Sequence, residues 1–414
     1  MGSRRPERRS PLLLLLLLLT GAVALDGIAS NLALFTDATQ PPAVRSLNLR
    51  TFELQTVIAY DSDDLAVLGV PRQTADGTNR TLRPAGIALL QGDYYDTLFW
   101  ADAGAGAILG FRLDGSGLQV VARGLAAPEQ LLVDASPTVY LAARGNVLYW
   151  GDSTVNAILR CVIDPSVGTA GNCTAGVTEV VRGVPQVAGL ALDVENYRLF
   201  WSDAVSMRVR AALVDPASGR ALVETTLADV VPYVRIPVGL AFERGGGGGA
   251  GRLYLFEQAT PARLLRIWLS GNGTQPLVRY GLSRPRAIAL APAADFYCYA
   301  DSGTKRLIVG RLSADSPTLR DAYVFEGPFE PRALVVRSDA SLLIDLDGSA
   351  SAATRSATTA EAQRSGAPSA GGRRGGRSAG ACRMATTACA TTTAVGAAVA
   401  ILLVASSSDA RRRR

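Results

Sequence analysis

The chain has 414 residues, of which 48% are hydrophobic and 19% are charged, and its formal net charge at pH 7 is +6. This apolar content supports a sizeable core and excludes a chain that is disordered throughout. Residues 25–346 carry 28 Lys and Arg against 32 Asp and Glu, so the positive excess lies at the termini and no nucleic-acid partner is predicted. The sequence contains no histidine, which excludes Ser-His-Asp and Cys-His catalysis and histidine-bound metals.

Residues 1–24 have the pattern of a secretory signal peptide. An Arg-rich start is followed by an unbroken leucine run at residues 12–19 and by Ala22 and Ala24, which suit cleavage before Leu25. The leucine run is too short to span a bilayer. We therefore expect the chain to enter the secretory pathway.

A short pattern recurs six times along the chain: an apolar residue, an aromatic residue, a spacer and an acid. Clear copies stand at residues 34–37, 99–102, 149–152 and 200–203, and weaker ones at 254–257 and 298–301. Their intervals of 44 to 65 residues suit propeller blades with loops of variable length. The ring and acid positions include Trp100 and Asp102, Trp150 and Asp152, Trp201 and Asp203, and Tyr299 and Asp301.

A proline followed by an apolar stretch separates successive copies, which predicts a strand entered from a loop. Further strands are expected near residues 108–113 and 118–122, joined by the turn signal at Asp114 and Gly115. Four strands per repeat and no long helical periodicity predict an all-β fold, a six-bladed β-propeller over residues 25–347.

The tetrad residues have a structural interpretation. In an extended strand Trp100 and Asp102 share one face, and both faces of a blade are buried. We expect the rings to fill the space between blades and the carboxylates to accept backbone N–H groups from turns.

The tetrads, the proline-led strands and the Asp-Gly turn resemble the YWTD repeats, also called low-density lipoprotein receptor class B repeats, over about residues 31–347. The resemblance implies ligand binding at one end face, built from the proline-led loops and the loops after the tetrads. Basic residues dominate those positions, which favours an anionic extracellular partner, either an acidic protein or a sulfated glycan. The candidate face residues are Arg83, Glu129, Arg235, Arg284, Arg286 and Arg332 in the first set and Arg208 and Lys305 in the second.

The cysteines and sequons agree with an extracellular chain. Cys161 and Cys173 are close enough in sequence to form a disulfide, and Cys298 is expected to be a buried free thiol. The N-glycosylation sequons begin at Asn79, Asn172 and Asn272.

The C-terminal part is expected to lie outside the propeller. Residues 348–384 are rich in small and polar residues and predict a disordered stalk. Residues 385–405 carry no charge and precede a basic cluster, so they are a candidate transmembrane helix with residues 406–414 as a short cytosolic tail. A removable lipid-anchor signal is the alternative, which the terminal arginines disfavour.

The predicted function is extracellular binding by a receptor-like glycoprotein, secreted or held at the cell surface by a single span. Neither catalysis nor a cofactor or metal is predicted. Two alternatives stay open: a calcium-dependent hydrolase or synthase of the six-bladed type, acting through carboxylates at the axis, and a structural wall or adhesion protein.

Overall fold

The computed structural model describes residues 31–49, 51–73, 77–91, 96–134, 146–163, 170–173, 176–215, 218–226, 234–245, 250–271, 273–278, 281–291, 296–311, 320–338 and 401–402. Antiparallel strands in these residues form six sheets arranged as the blades of a propeller. The predicted all-β, six-bladed class is confirmed.

The strands follow one order in every blade. Blades 1 to 3 contain β1 (Asn31–Asp37), β2 (Ala43–Asn48) and β3 (Leu54–Ala59); β4 (Pro84–Leu90), β5 (Thr97–Asp102), β6 (Ala107–Arg112) and β7 (Gln119–Arg123); and β8 (Pro128–Asp134), β9 (Asn146–Asp152), β10 (Ala157–Ile163) and β11 (Thr178–Arg182). Blades 4 to 6 contain β12 (Val187–Asp193), β13 (Arg198–Asp203), β14 (Arg208–Val214) and β15 (Ala221–Thr226); β16 (Pro237–Glu243), β17 (Arg252–Glu257), β18 (Arg263–Trp268) and β19 (Thr274–Val278); and β20 (Pro285–Ala291), β21 (Phe296–Asp301), β22 (Arg306–Arg311) and β23 (Arg320–Glu326).

Blade 1 closes the ring. Its innermost strand is β24 (Pro331–Ser338), which pairs with β1 from Asn31 opposite Ser338 to Asp37 opposite Pro331. The innermost strands β4, β8, β12, β16, β20 and β24 contact one another in that order around the axis, and β24 contacts β4. Both ends of the propeller sequence therefore lie in one blade.

The core lies between blades, as the tetrad pattern predicts. Every residue of β5 and β6 is buried, so both faces of blade 2 are covered. Trp100 belongs to one packed cluster with Leu34 of blade 1, and Trp150 to another with Phe99 of blade 2. Each ring thus fills the space toward the preceding blade.

A short helix, α1 (Ser62–Val67), follows blade 1 and was not predicted. Asp61 caps it by accepting the N–H groups of Asp63 and Asp64, and the Asp64 carboxylate accepts the N–H of Asp61. Its sequence signal is weak, because Asp64 stands where the usual capping box has Glu or Gln. The helix is too short for its periodicity to be detected.

The predicted disulfide is present. Cys161 in β10 is bonded to Cys173, whose N–H donates to the carbonyl oxygen of Val121 in blade 2 at 3.2 Å. The disulfide therefore holds the β10–β11 connection of blade 3 against its neighbour. Cys298 is a buried free thiol, as predicted, and burial raises its pKa.

The predicted signal peptide (1–24), stalk (348–384) and tail (406–414) lie outside the described residues. Of the candidate span at 385–405, only Ile401–Leu402 is described; it forms a short strand, β25, paired with Val324 and Phe325 of β23. Within the described part of the chain, no helix has the length and apolar character needed to cross a membrane.

Candidate functional site at the mouth of the central channel

The two loop sets that the sequence assigns to one face do share one end of the propeller. Pro84 at the start of β4 lies opposite Asp102 at the end of β5, which lies opposite Ala107 at the start of β6. Pro285 and Asp301 repeat this arrangement in blade 6. We call this end of the molecule, where the innermost strands begin, the mouth end.

Six buried carboxylates end the second strands of the blades at the mouth end. This acidic layer consists of Asp37, Asp102, Asp152, Asp203, Glu257 and Asp301. Asp102 accepts the N–H groups of Arg83 at 3.0 Å and Ala105 at 2.7 Å, and Asp301 accepts that of Arg284 at 2.7 Å. The carboxylates therefore hold the turns in place, as the sequence predicts for the tetrad acids.

The same bonding occurs at the seam of blade 1. Burial alone would raise the pKa of Asp37, but the N–H groups of Glu330 at 2.8 Å and Thr39 at 3.0 Å, together with the hydroxyl of Thr39 and the guanidinium of Arg45, hold this pKa below its ordinary value of 3.8. Because Glu330 precedes β24, this carboxylate joins the two ends of the propeller.

A second set of side chains surrounds the axis at the mouth end. This mouth ring comprises the residues that follow the six prolines: Ala85, Glu129, Gln186, Val238, Arg286 and Arg332. All six line a cavity of about 290 Å³ at the mouth of the central channel. Unlike the acidic layer, the ring differs in chemistry from blade to blade.

The charged members of the mouth ring lie at β-bulges. Pairing with the second strand passes from Pro285 to Ala287, from Pro331 to Ala333 and from Pro128 to Leu131, so Arg286, Arg332 and Glu129 oppose no residue. A bulge re-aims the side chain that it carries. Here it presents these three to the mouth.

Charge is unevenly distributed around the mouth. Arg286 and Arg332 lie on the adjacent strands β20 and β24, whereas Glu129 lies on β8, on the opposite side of the ring. Arg332 forms an ion pair with Glu330 at 2.8 Å, and Glu129 lies 4.0 Å from Arg83.

Arg286 forms no ion pair with any carboxylate in the described residues; its Nε donates to the Ser302 hydroxyl at 3.4 Å. Burial lowers its pKa, and the positive charges of Arg332 and Arg284 lower it further, against the opposing effects of Glu330 and Glu129. Burial raises the pKa of Glu129, against the opposing effects of Arg83 and Ser153. The side near Arg286 is therefore the electropositive part of the mouth.

The structure brings together four of the eight candidate face residues. Arg83, Glu129, Arg286 and Arg332 line the mouth cavity. The other four share the mouth end but lie away from the cavity lining: Arg284, Lys305 and Arg208 are exposed, and exposed Arg235 lies 3.8 Å from buried Glu257.

The lining residues that sequence reasoning missed include Gln130, Ile236 and Gln258. Gln130 reaches the mouth because the bulge in β8 spans two residues. Gln258 follows the acid of a weak tetrad copy and donates to the carbonyl oxygen of Pro285 at 2.5 Å.

Exposed apolar side chains occupy the mouth end of blades 3 to 5. Val155, Val205, Met207 and Ile236 are 50%, 60%, 45% and 39% exposed. Met207 has a positive φ value of 55°, as have the residues at the same turn position in other blades, Gly106, Asn156 and Lys305, so this conformation belongs to the repeated turn. We call Val155, Val205, Met207 and Ile236 the apolar side, and Arg284, Arg286, Lys305 and Arg332 of blades 6 and 1 the basic side.

Two of the three sequon asparagines lie in the described residues. Asn79 and Asn172 are exposed, and Asn272 lies outside the described residues. Within those residues, no three Cys, Asp or Glu side chains are grouped so as to hold a metal ion.

No family model matches the sequence. In fold, the chain is similar to one in the crystal structure of a nidogen/laminin complex, at 16% identity and a TM-score of 0.52, covering 74% of this chain and 98% of that one. It is also similar to a luciferin-regenerating enzyme (12%, 0.44, 74% and 90%) and to a 6-phosphogluconolactonase-like propeller from Bacteroides fragilis (13%, 0.45, 74% and 98%). At 16% identity, the first of these similarities shows a shared fold alone.

Proposed function

We propose that this chain is an extracellular, receptor-like binding module of the YWTD type that binds an acidic protein partner at its mouth end. The observation that carries the proposal is that the acids at this end are buried and hydrogen-bonded, whereas the arginines face the mouth. The acidic layer is buried and bonded to backbone N–H groups, whereas Arg286 and Arg332 are presented to the mouth by bulges. An anion is the ligand that complements this arrangement.

The apolar side favours a protein over a glycan. Val205 and Met207 present large apolar surfaces at the same end as the basic side. Adjoining apolar and charged surfaces are typical of protein interfaces, and clustered exposed apolar groups mark interaction sites. A sulfated glycan has little apolar surface with which to cover them.

The extracellular part of the proposal rests on independent features. Disulfides such as Cys161–Cys173 persist in oxidising compartments, and the exposed sequon residues Asn79 and Asn172 are accessible to glycosylation. Both agree with the leader pattern at residues 1–24. The YWTD assignment rests on the tetrads, whose acids all end second strands.

Binding of the full chain to arrays of acidic peptides and sulfated glycans, at low and at high salt, tests this function. We expect saturable binding to peptides that combine acidic and apolar residues, and weaker binding at high salt because salt screens exposed charges. Absence of any anionic ligand at low salt would contradict the proposal.

Two pairs of variants assign the contact. Arg286→Glu with Arg332→Glu should weaken peptide binding by about tenfold or more, while exposed Arg220→Glu, in the β14–β15 turn at the opposite end, should not. Val205→Ser with Met207→Ser should also weaken it, with Leu222→Ser on β15 as the exposed apolar control. If only glycans bind, and the apolar variants bind them normally, the partner is a polysaccharide and not a protein.

A further inference from the structure

The two sequon asparagines in the described residues have similar surroundings in the folded chain. Asn79 and Asn172 are both exposed. The carboxamide oxygen of Asn79 accepts from Gln73 Nε2 at 3.3 Å, and that of Asn172 accepts from Gln119 Nε2 at 3.0 Å. In both side chains the oxygen binds the neighbouring glutamine, and Nδ2 is the atom that a glycan uses. The folded chain can therefore accommodate a glycan at either position.

The residue after each asparagine is the main difference between the two sequons. Arg80 follows Asn79. Cys173 follows Asn172 and is the middle residue of its sequon, and its sulfur is bonded to Cys161, which lies 12 residues earlier. Once this bond forms, the middle side chain of the second sequon is joined covalently to strand β10. No such link exists in the first sequon.

Hydrogen bonds hold the same segment against two blades. Cys173 forms an isolated β-bridge with Ile163 of blade 3, and its N–H donates to the carbonyl oxygen of Val121 in blade 2 at 3.2 Å. Gln119 Nε2 donates to the carbonyl oxygen of Gly171 at 2.5 Å. The residues on both sides of the second asparagine are thus fixed. An enzyme that transfers a glycan must enclose the whole sequon, so it requires this segment to be detached from its neighbours.

Disulfide formation and glycan transfer compete in time. A chain is synthesised at about 5–20 residues per second, and disulfides form in seconds to hours. Cys161 and Cys173 are separated by only 12 residues, so closing the loop between them costs little entropy and does not require the later blades. The bond can therefore form while the sequon is still exposed to the transferase.

We propose that the Cys161–Cys173 disulfide controls glycosylation of Asn172: the glycan is added only while Cys173 is reduced, and early formation of the bond leaves the asparagine without a glycan. The inference rests on the extracellular part of the proposed function. It predicts two forms of the mature chain, with and without a glycan at Asn172. Asn79, whose sequon contains no cysteine, serves as an internal reference.

The two competing reactions are chemically complete. In glycan transfer, Nδ2 of Asn172 loses a proton and bonds to C1 of the first sugar, while the bond from that carbon to a lipid-linked diphosphate breaks and the lipid diphosphate leaves. In disulfide formation, the two thiols lose two protons and two electrons, which reduce the disulfide of an oxidoreductase to a dithiol. A thiol reductant such as dithiothreitol reverses only the second reaction.

Expression of the full chain in cultured mammalian cells, followed by mass spectrometry of peptides deglycosylated enzymatically in H₂¹⁸O, measures occupancy at each asparagine. In the parent we expect lower occupancy at Asn172 than at Asn79. Cys161→Ser leaves the sequon intact and removes the partner of Cys173, so occupancy at Asn172 should rise by about twofold or more while that at Asn79 stays constant. Cys298→Ser, which removes the buried free thiol, is the matched control and should change neither.

A second arm does not depend on a variant. Brief dithiothreitol treatment of cells making the parent chain should raise occupancy at Asn172 in the newly made chains and leave Asn79 unchanged. Occupancy is measured on total cellular chain, because transfer precedes folding, so a variant that fails to fold still reports the result.

The outcomes separate this inference from the proposed function. Unchanged occupancy of Asn172 in both arms, or complete occupancy of Asn172 in the parent, would overturn the inference, while a glycan at Asn79 would still support an extracellular chain. Absence of glycan from both asparagines in every arm would overturn the inference and the extracellular part of the proposed function together.

Discussion

The acidic layer and the mouth ring lie at the same end of the propeller but differ in almost every other respect. Each blade contributes one carboxylate to the layer, always at the end of its second strand, and these carboxylates are buried. The ring contains two arginines, a glutamate, a glutamine, a valine and an alanine at equivalent positions.

The difference shows which positions of the repeat stabilise the fold and which are available for binding a ligand. A residue type that recurs at one position in every blade has a structural role that all blades share, here the acceptance of hydrogen bonds from turns at strand ends. At the mouth ring both the residue type and the strand pairing vary, since Val238 opposes Phe256 whereas Arg286 opposes no residue. The ring is therefore where one propeller can acquire a ligand of its own.

The largest expected effect comes from removing one of the repeated aromatic side chains that lie between blades. Trp150→Ala should cost about 3–5 kcal/mol of unfolding free energy, because the indole is fully buried between blades 2 and 3 and leaves a cavity. Arg286→Ala in the mouth ring should cost far less. Chemical denaturation of both variants beside the parent measures the difference, and equal midpoints would show that the repeated positions are not the scaffold.

Replacing one carboxylate by an amide in the acidic layer and one in the mouth ring compares the two sets directly. Asp102→Asn should cost about 1–3 kcal/mol, because the amide nitrogen replaces one of two accepting oxygens. It takes the place either of Oδ1, which accepts from Arg83 and Ala105, or of Oδ2, which accepts from the hydroxyl of Tyr60. Glu129→Gln should leave stability at neutral pH unchanged or slightly raised, because burial disfavours the charged form and raises this pKa. Denaturant midpoints at neutral pH distinguish the two positions, and a larger loss at Glu129 would reverse their assigned roles.

The smallest expected effect concerns acid. Because the pKa of Asp37 is lower in the folded chain than its ordinary value of 3.8, its contribution to stability is present above that pH and is lost as the pH falls through the lowered value. Asp37→Asn should therefore reduce stability at neutral pH, and the unfolding free energy of the variant should fall less steeply than that of the parent as the pH is lowered. Unfolding free energies measured from neutral pH down to about pH 3 decide the matter. An equally steep fall of the unfolding free energy in the variant would mean that Asp37 does not cause it.

Prediction from sequence succeeded where the same signal recurred. The tetrads predicted six blades and the buried roles of Trp100, Trp150 and Trp201, because each copy supported the register of the others. The helix at Ser62–Val67 occurs once, and its two turns give too little periodicity to detect.

The candidate site was predicted only in part, for a similar reason. The sequence assigned both loop sets to one end, and antiparallel pairing alone ensures that placement. It did not separate Arg286 and Arg332, which line the mouth, from Arg235 and Arg284, which do not. Arg286 and Arg332 follow a proline and lie at a bulge, whereas Arg284 precedes Pro285 and lies outside the bulge, a difference that composition does not reveal.

The sequence by itself determined the class of fold, the number of blades, the buried rings and acids, and the pairing of Cys161 with Cys173, because these depend on local pattern and repetition. Only the tertiary structure decided which charges meet at the axis and that a second cavity lies along the same innermost strands. These features depend on contacts between strands far apart in sequence and on bulges that shift register by one or two residues. Such a shift re-aims a side chain while leaving the pattern of residue types unaltered.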